Sequence, residues 1–292
     1  MLASISFSVC CMKAVFLLLL FFPGVLFPDA VRNFWFSGAE ISRYDLSQAR
    51  YGANHPGHVE FIFVTEPFLV EEQVKDELGN GESTDVLKLN ALRTFNTGIY
   101  SYRIMTSTFK PIDLDRFPHA LKSTTSVQDW CGQAFRQVNR LADGWRVRLF
   151  SYFEKEGDQD VTLPDTWLED ELWILIRLDP SRLPDGEFEI IPGALYQRFS
   201  HEPLEIQKAS GKLLVKAGQS TYRLDYPDLD RRLEITFDTG FPHIIRKWSD
   251  SSPRGTTTAV LRERIMNSEY WSENQPEDRN KRQPLGLEAV PN

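Results

Sequence analysis

The residues best equipped for chemistry sit close together: Ser123-Thr124-Thr125-Ser126 is followed by Asp129-Trp130-Cys131-Gly132. A thiol becomes a nucleophile only when an imidazole or another cation lowers its pKa. Asp129, Cys131 and His58 are therefore the residues a hydrolase would be built from. The structural alternative is a core strand bulged at Gly132, because a glycine inside a strand marks a bulge. On that reading Cys131 is buried, as free cysteines mostly are. On the functional reading the same stretch is the wall of a pocket. Trp130, Cys131, Tyr100 and Tyr102 are then the side chains expected to touch a ligand.

Two further groupings have metal-like spacing. His55 and His58 in Asn54-His55-Pro56-Gly57-His58 are two ligands short of a zinc site, and Pro56-Gly57 marks a turn rather than a helix face. Glu154, Glu156, Asp158 and Asp160 alternate, yet the glycine and terminal glutamate of a calcium loop are missing, so a solvated acidic loop is expected. No metal and no cofactor are expected. The sequence contains no G-x-S-x-G, H-E-x-x-H, P-loop or dinucleotide motif. A triad assembled from distant residues stays open, since sequence order does not determine it.

The elements that must position these residues alternate with period two. His58 to Thr65, Asp85 to Phe95 and Ile99 to Thr108 read as strands, the last two joined at Asn96-Thr97-Gly98. Gln133 to Leu141 and Trp145 to Phe153 flank Asp143-Gly144, a favoured hairpin pair. Ala134, Val138 and Leu141 also fit a helix face. One helix is expected, capped by Thr166 with Glu169 three residues on, its apolar face Leu172, Trp173 and Ile176, and its stop Asp179-Pro180. Short strands follow at Glu187–Ile191, Ala194–Phe199, Leu204–Lys208, Leu213–Ala217, Thr221–Tyr226, Leu233–Asp238, His243–Trp248 and Thr256–Ile265. The expected fold is mainly β: an antiparallel curved sheet or open half-barrel with one principal packed helix.

The N-terminus has the layout of a secretory signal. Met12-Lys13 precedes an apolar run from Ala14 to Phe22, broken by Pro23 and Gly24, and Ala30 is the expected cleavage point, with Pro28 in place of a small residue. The run is shorter than the roughly 20 residues of a spanning helix. Residues 1–30 are thus expected to be removed, Cys10 and Cys11 with them, leaving Cys131 as the only thiol and no stable membrane span. Residues 31–271 are expected to form one β-rich domain, with a subdivision near Pro164 as the alternative. The polar stretch 272–292 is expected to be a mobile tail.

A net charge of −8 argues against nucleic acid as a partner, which would require clustered Lys and Arg. A 41% hydrophobic and 12% aromatic composition excludes a disordered chain.

Four strings, Ala49-Arg50-Tyr51-Gly52, His58 to Thr65, Phe95-Asn96-Thr97-Gly98-Ile99-Tyr100 and Gln128-Asp129-Trp130-Cys131-Gly132, resemble an uncharacterised family of exported bacterial proteins. Its members are sometimes labelled septum formation inhibitor Maf, and the resemblance runs from about Phe34 to about Ile265. The Ser-Pro-Arg-Arg motif of the Maf pyrophosphatases is absent; the nearest string, Ser252-Pro253-Arg254-Gly255, lacks the second arginine, so no pyrophosphatase activity is implied. The resemblance implies export to the periplasm or cell envelope and no catalytic residues.

The expected function is noncatalytic binding of an apolar small molecule or an envelope protein through a concave, aromatic-rich sheet. The alternatives are an exported hydrolase with unrecognised site residues and an interaction subunit of an envelope assembly.

Overall fold

A computed structural model describes Val31 and residues 34–287. The expected signal segment, with Cys10 and Cys11, lies outside the described residues.

The alternating sequence folds into one 15-stranded sheet. Its first half is a run of consecutive hairpins: β1 Ala39–Arg50, β2 Ala53–Leu69, β3 Ser83–Thr97, β4 Tyr100–Pro111, β5 Lys122–Asp129, β6 Gly132–Leu141, β7 Gly144–Ser151 and β8 Gln159–Pro164. Its second half is β9 Trp167–Leu168, β10 Gly186–Ile191, β11 Gln207–Val215, β12 Gln219–Tyr226, β13 Arg231–Asp238, β14 Ile245–Ser252 and β15 Gly255–Ser268. β1 and β15 pair in the middle, which leaves β8 and β9 as the two ends of the sheet. All pairings are antiparallel except that of β9 with β10.

Only Asp165 and Thr166 separate β8 from β9 along the chain, so the sheet must curl until its ends meet. They meet through side chains and not through a backbone ladder. Val138, Trp145 and Val147 from β6 and β7 pack against Leu168 and Ile191 from β9 and β10. Trp145 Nε1 donates to the Thr166 carbonyl at 2.8 Å. The mainly β, open curved sheet with a packed helix is thus observed.

The helix α1, Glu169–Leu178, lies inside the curl, with Leu172, Ile174, Leu175 and Ile176 buried. Its start differs from the expected one. Leu168 is the N-cap, and Glu171 reaches back to accept from the Leu168 N–H at 3.1 Å. The Thr166 hydroxyl instead donates to the Glu189 carbonyl of β10, because the β9 pairing holds that residue in extended backbone.

Polar contacts fix α1 to strands far apart in the sheet. Glu169 takes a bidentate pair from Arg231 of β13 at 2.5 and 2.8 Å, and a hydrogen bond from Tyr226 at 2.6 Å. Asp170 pairs with Arg136 of β6 at 2.8 Å. Glu171 accepts from Lys110 of β4 at 2.9 Å and from the Ala120 N–H at 2.6 Å, with His119 Nδ1 at 2.9 Å. At the other end Arg177 donates twice to Glu40 of β1, at 2.9 and 2.6 Å. Acids in the first helical turn and a base in the last also suit the helix dipole.

Several local expectations are corrected. Ala194–Phe199 is not a strand but most of a helix, α2 (Ala194–Ser200), because a short apolar run fits either period and Pro192-Gly193 ends β10 just before it. The β6–β7 turn is Ala142-Asp143, with Leu141 opposite Gly144. Gly144 opens β7 at φ +149°, where a Cβ would lie 2.2 Å from the Leu163 carbonyl oxygen. Pro56-Gly57 lies within β2 rather than at a turn. The β3 ladder begins at Gly57, where a Cβ would meet the Thr94 carbonyl oxygen at 2.3 Å, so the glycine serves cross-strand approach. Toward the C-terminus Pro276–Leu285 is a 3-10 segment, and Leu285 is buried against Ala39, Ile41 and Val64.

Candidate functional site

A cavity of about 600 Å³ opens between the concave face of the sheet, α1 and α2. Val59 and Phe61 of β2, Leu89 and Ala91 of β3, Ile104 of β4 and Leu233 of β13 build an apolar wall, with Trp173 of α1 and Trp248 of β14. The Phe61 and Trp248 rings stack at 5.1 Å, and Trp173 meets Trp248 edge-on at 5.3 Å. The volume falls within the range of small-molecule sites, about 300–1,000 Å³.

The mouth is formed by the turns at one end of the hairpins, where Tyr51, Ile99, Trp130 and Tyr152 are all exposed. Tyr51, Tyr100 and Tyr102 close a triangle of hydroxyls, with Oη–Oη separations of 2.6, 2.9 and 2.9 Å. Arg50 lies over the Tyr51 and Phe199 rings at 4.6 and 4.4 Å and donates to the Phe199 carbonyl at 2.8 Å. Burial alone would raise the Tyr51 hydroxyl pKa, but hydrogen bonds with Tyr100 and Tyr102 and the Arg50 charge bring it below the ordinary tyrosine value.

Of the four expected ligand-contacting residues, Tyr102 and Cys131 line the cavity. Tyr100 and Trp130 stand at the mouth instead, their rings 6.5 Å apart. Asp129-Trp130-Cys131-Gly132 is not a bulged core strand: Asp129 pairs with Gly132, which makes Trp130-Cys131 a two-residue turn. Asp129 Oδ1 accepts from the Cys131 N–H at 2.7 Å and from the Gly132 N–H at 3.2 Å. Asp129 therefore shapes its own turn.

Cys131 is exposed rather than buried, since a turn tip has nothing packed over it. Native-state alkylation followed by peptide mapping should modify Cys131 at a rate comparable to that in denaturant; strong protection in the native protein would contradict this placement.

The three residues proposed for a hydrolase are not brought together. Val59 and Phe61 face the cavity, so His58 and Glu60 between and beside them point to the convex side, where their side chains approach to 3.2 Å. Among the described residues no imidazole hydrogen-bonds the Cys131 thiol. In the acidic loop, Glu156 is mostly buried rather than solvated, pairing with Arg198 at 3.1 Å and His201 at 2.8 Å. Among the described residues no group of His, Cys, Asp and Glu could hold a metal ion.

The cavity residue that sequence reasoning missed is Arg93 of β3. It faces inward in the row Leu87, Leu89, Ala91, Arg93, Phe95, and its cross-strand neighbours are Val59 and Ile104, both buried. It donates to the Gln48 Oε1, and no carboxylate among the described residues forms a salt bridge with it. Burial pulls its pKa down to about 10, with Asp250 opposing, so it stays charged at neutral pH.

No protein-family profile and no curated protein matches this chain. Among solved structures it is similar to a beta-barrel-like protein of a domain of unknown function, DUF1849, from Brucella abortus. That likeness is 9% identical in sequence with a TM-score of 0.46, and spans 80% of this chain and 99% of the other.

Proposed function

We propose that this chain is a noncatalytic, exported envelope protein that holds an apolar small molecule in the concave cavity. The observation that carries the reading is the cavity itself: about 600 Å³ of space inside the curl, with Phe61, Leu89, Trp173 and Trp248 in its lining. A core of this size would ordinarily pack to crystal-like density. Surface left unburied inside a fold gives up its transfer free energy, about 25 cal/mol per Å². A ligand with an apolar body recovers that energy.

Native mass spectrometry of the protein from its host's envelope fraction should retain an apolar mass. An apolar fluorescent probe should bind the stripped protein at one saturable site. Ala91 on the wall can be enlarged: Ala91→Phe should fill the cavity and weaken probe binding by at least roughly tenfold, the factor that about 1.4 kcal/mol represents, with the urea midpoint little changed. Probe binding that survives Ala91→Phe, or that follows unfolding, would remove the cavity from consideration.

A second reading, an interaction subunit, is favoured by the exposed side chains Tyr51, Ile99, Trp130 and Tyr152 around the mouth. Loss of a co-purifying envelope protein on replacing Trp130 and Tyr152 with serine, with probe binding intact, would favour this second reading.

A further inference from the structure

We infer that the cavity's occupant is a single-chain amphiphile with one anionic head, and that Arg93 receives that head. This inference rests on the cavity being the binding site.

Arg93 carries a charge that no carboxylate among the described residues matches. Other buried cations of the fold are each bonded to a carboxylate: Lys110 to Glu171, Arg136 to Asp170, Arg177 to Glu40 and Arg231 to Glu169. Arg93 is only half-buried on the cavity wall, and its hydrogen-bond partner is the neutral amide oxygen of Gln48. The nearest acid to act on it, Asp250, already receives a bidentate pair from Arg231 at 2.8 and 2.8 Å. A guanidinium carries five N–H donors, and here most of them have no protein acceptor.

Placing a charge among Val59, Ile104 and Ala91 costs free energy unless it gains a counter-charge. A carboxylate or phosphate oxygen pair matches the planar fork of the guanidinium in a bidentate way. The wall beyond it offers aromatic and aliphatic surface, and of the other arginines lining the cavity Arg198 and Arg231 are bonded to carboxylates while Arg50 and Arg254 donate to the Phe199 and Ser200 carbonyls, which leaves Arg93 for a single head charge. An acyl-type chain against Phe61, Trp173 and Trp248, with a monoanionic head on Arg93, satisfies both parts of the site.

The test uses the full chain stripped of bound lipid and three ligands of equal chain length: hexadecanol, palmitate and hexadecyl phosphate. Wild type should bind at least one of the two anions roughly ten- to a hundredfold more tightly than the alcohol, as expected for hydrogen bonds to a charged group; which anion wins tells a fatty acid from a phosphate-headed lipid. Arg93→Met should abolish the preference and keep alcohol binding, which also shows that the variant is folded. Arg93→Lys should retain part of the preference.

Equal affinities in wild type, or an anion preference that survives Arg93→Met, would overturn the assignment of Arg93 while leaving the cavity reading intact. Binding of none of the three ligands, together with failure of the neutral probe, would overturn the cavity reading itself.

Discussion

Arg177→Ala should lower the unfolding free energy by about 3–5 kcal/mol, the usual cost of breaking a buried ion pair from one side. Glu40 and Arg177 are both fully buried. The Arg177 guanidinium also donates through Nε to the Pro242 carbonyl at 2.7 Å and lies 4.5 Å from the Phe63 ring centre. Removing it leaves the Glu40 carboxylate in the core with only Arg264, Trp35 and Ser42 among the described residues to bond it. Urea unfolding should show the loss as a lower midpoint at unchanged slope. The double variant Glu40→Gln with Arg177→Met should be less destabilised than the sum of the two single changes. Strict additivity would mean that the pair is not coupled.

Acid should unfold the protein through two of the carboxylates around α1. Burial pushes the Glu40 carboxyl up, but Arg177 and Arg264 outweigh it and hold it at about 2. Glu171 is likewise raised by burial and brought down to about 2 by Lys110 and His119. Both titrate lower in the folded protein than the ordinary 4.5 expected of the unfolded chain. The unfolded chain therefore takes up protons first, and the stabilisation is complete above pH 4.5 and lost as pH falls toward 2. Each carboxylate contributes ~3 kcal/mol over that window. Stability measured by urea at pH 5, 4 and 3 should fall steeply below pH 4.5. Glu171→Gln should flatten the fall; an identical slope in that variant would discount the Glu171 pair.

The hairpins were legible because alternation and turn residues are local signals. Asp85 to Phe95 reads as a strand from its sequence and is one. The same row also held the signal for the site: among Leu87, Leu89, Ala91 and Phe95, Arg93 is the single charge on the inward face. Because side chains alternate between faces, that exception appears only when every second residue is taken together. The α1 contacts were not legible. Glu169, Asp170 and Glu171 look like ordinary first-turn acids, and their partners lie 62, 34 and 61 residues away in sequence. Cys131 is exposed because Asp129-Trp130-Cys131-Gly132 makes a turn, and the turn overrides a cysteine's usual burial.

The side-chain meeting of β6 and β7 with β9 and β10 has a mechanical consequence. In a closed barrel, strand number and shear fix the diameter. Here the backbone ladder ends at β8 on one side and β9 on the other, so girth is set by how Trp145, Leu168 and Ile191 pack and by the lengths of the ion pairs that tie α1 to β1, β4, β6 and β13. Among the described residues no strand–strand hydrogen bond spans that meeting. At this seam the girth is therefore held by side chains, where a fully laddered barrel of the same size would hold it by backbone hydrogen bonds.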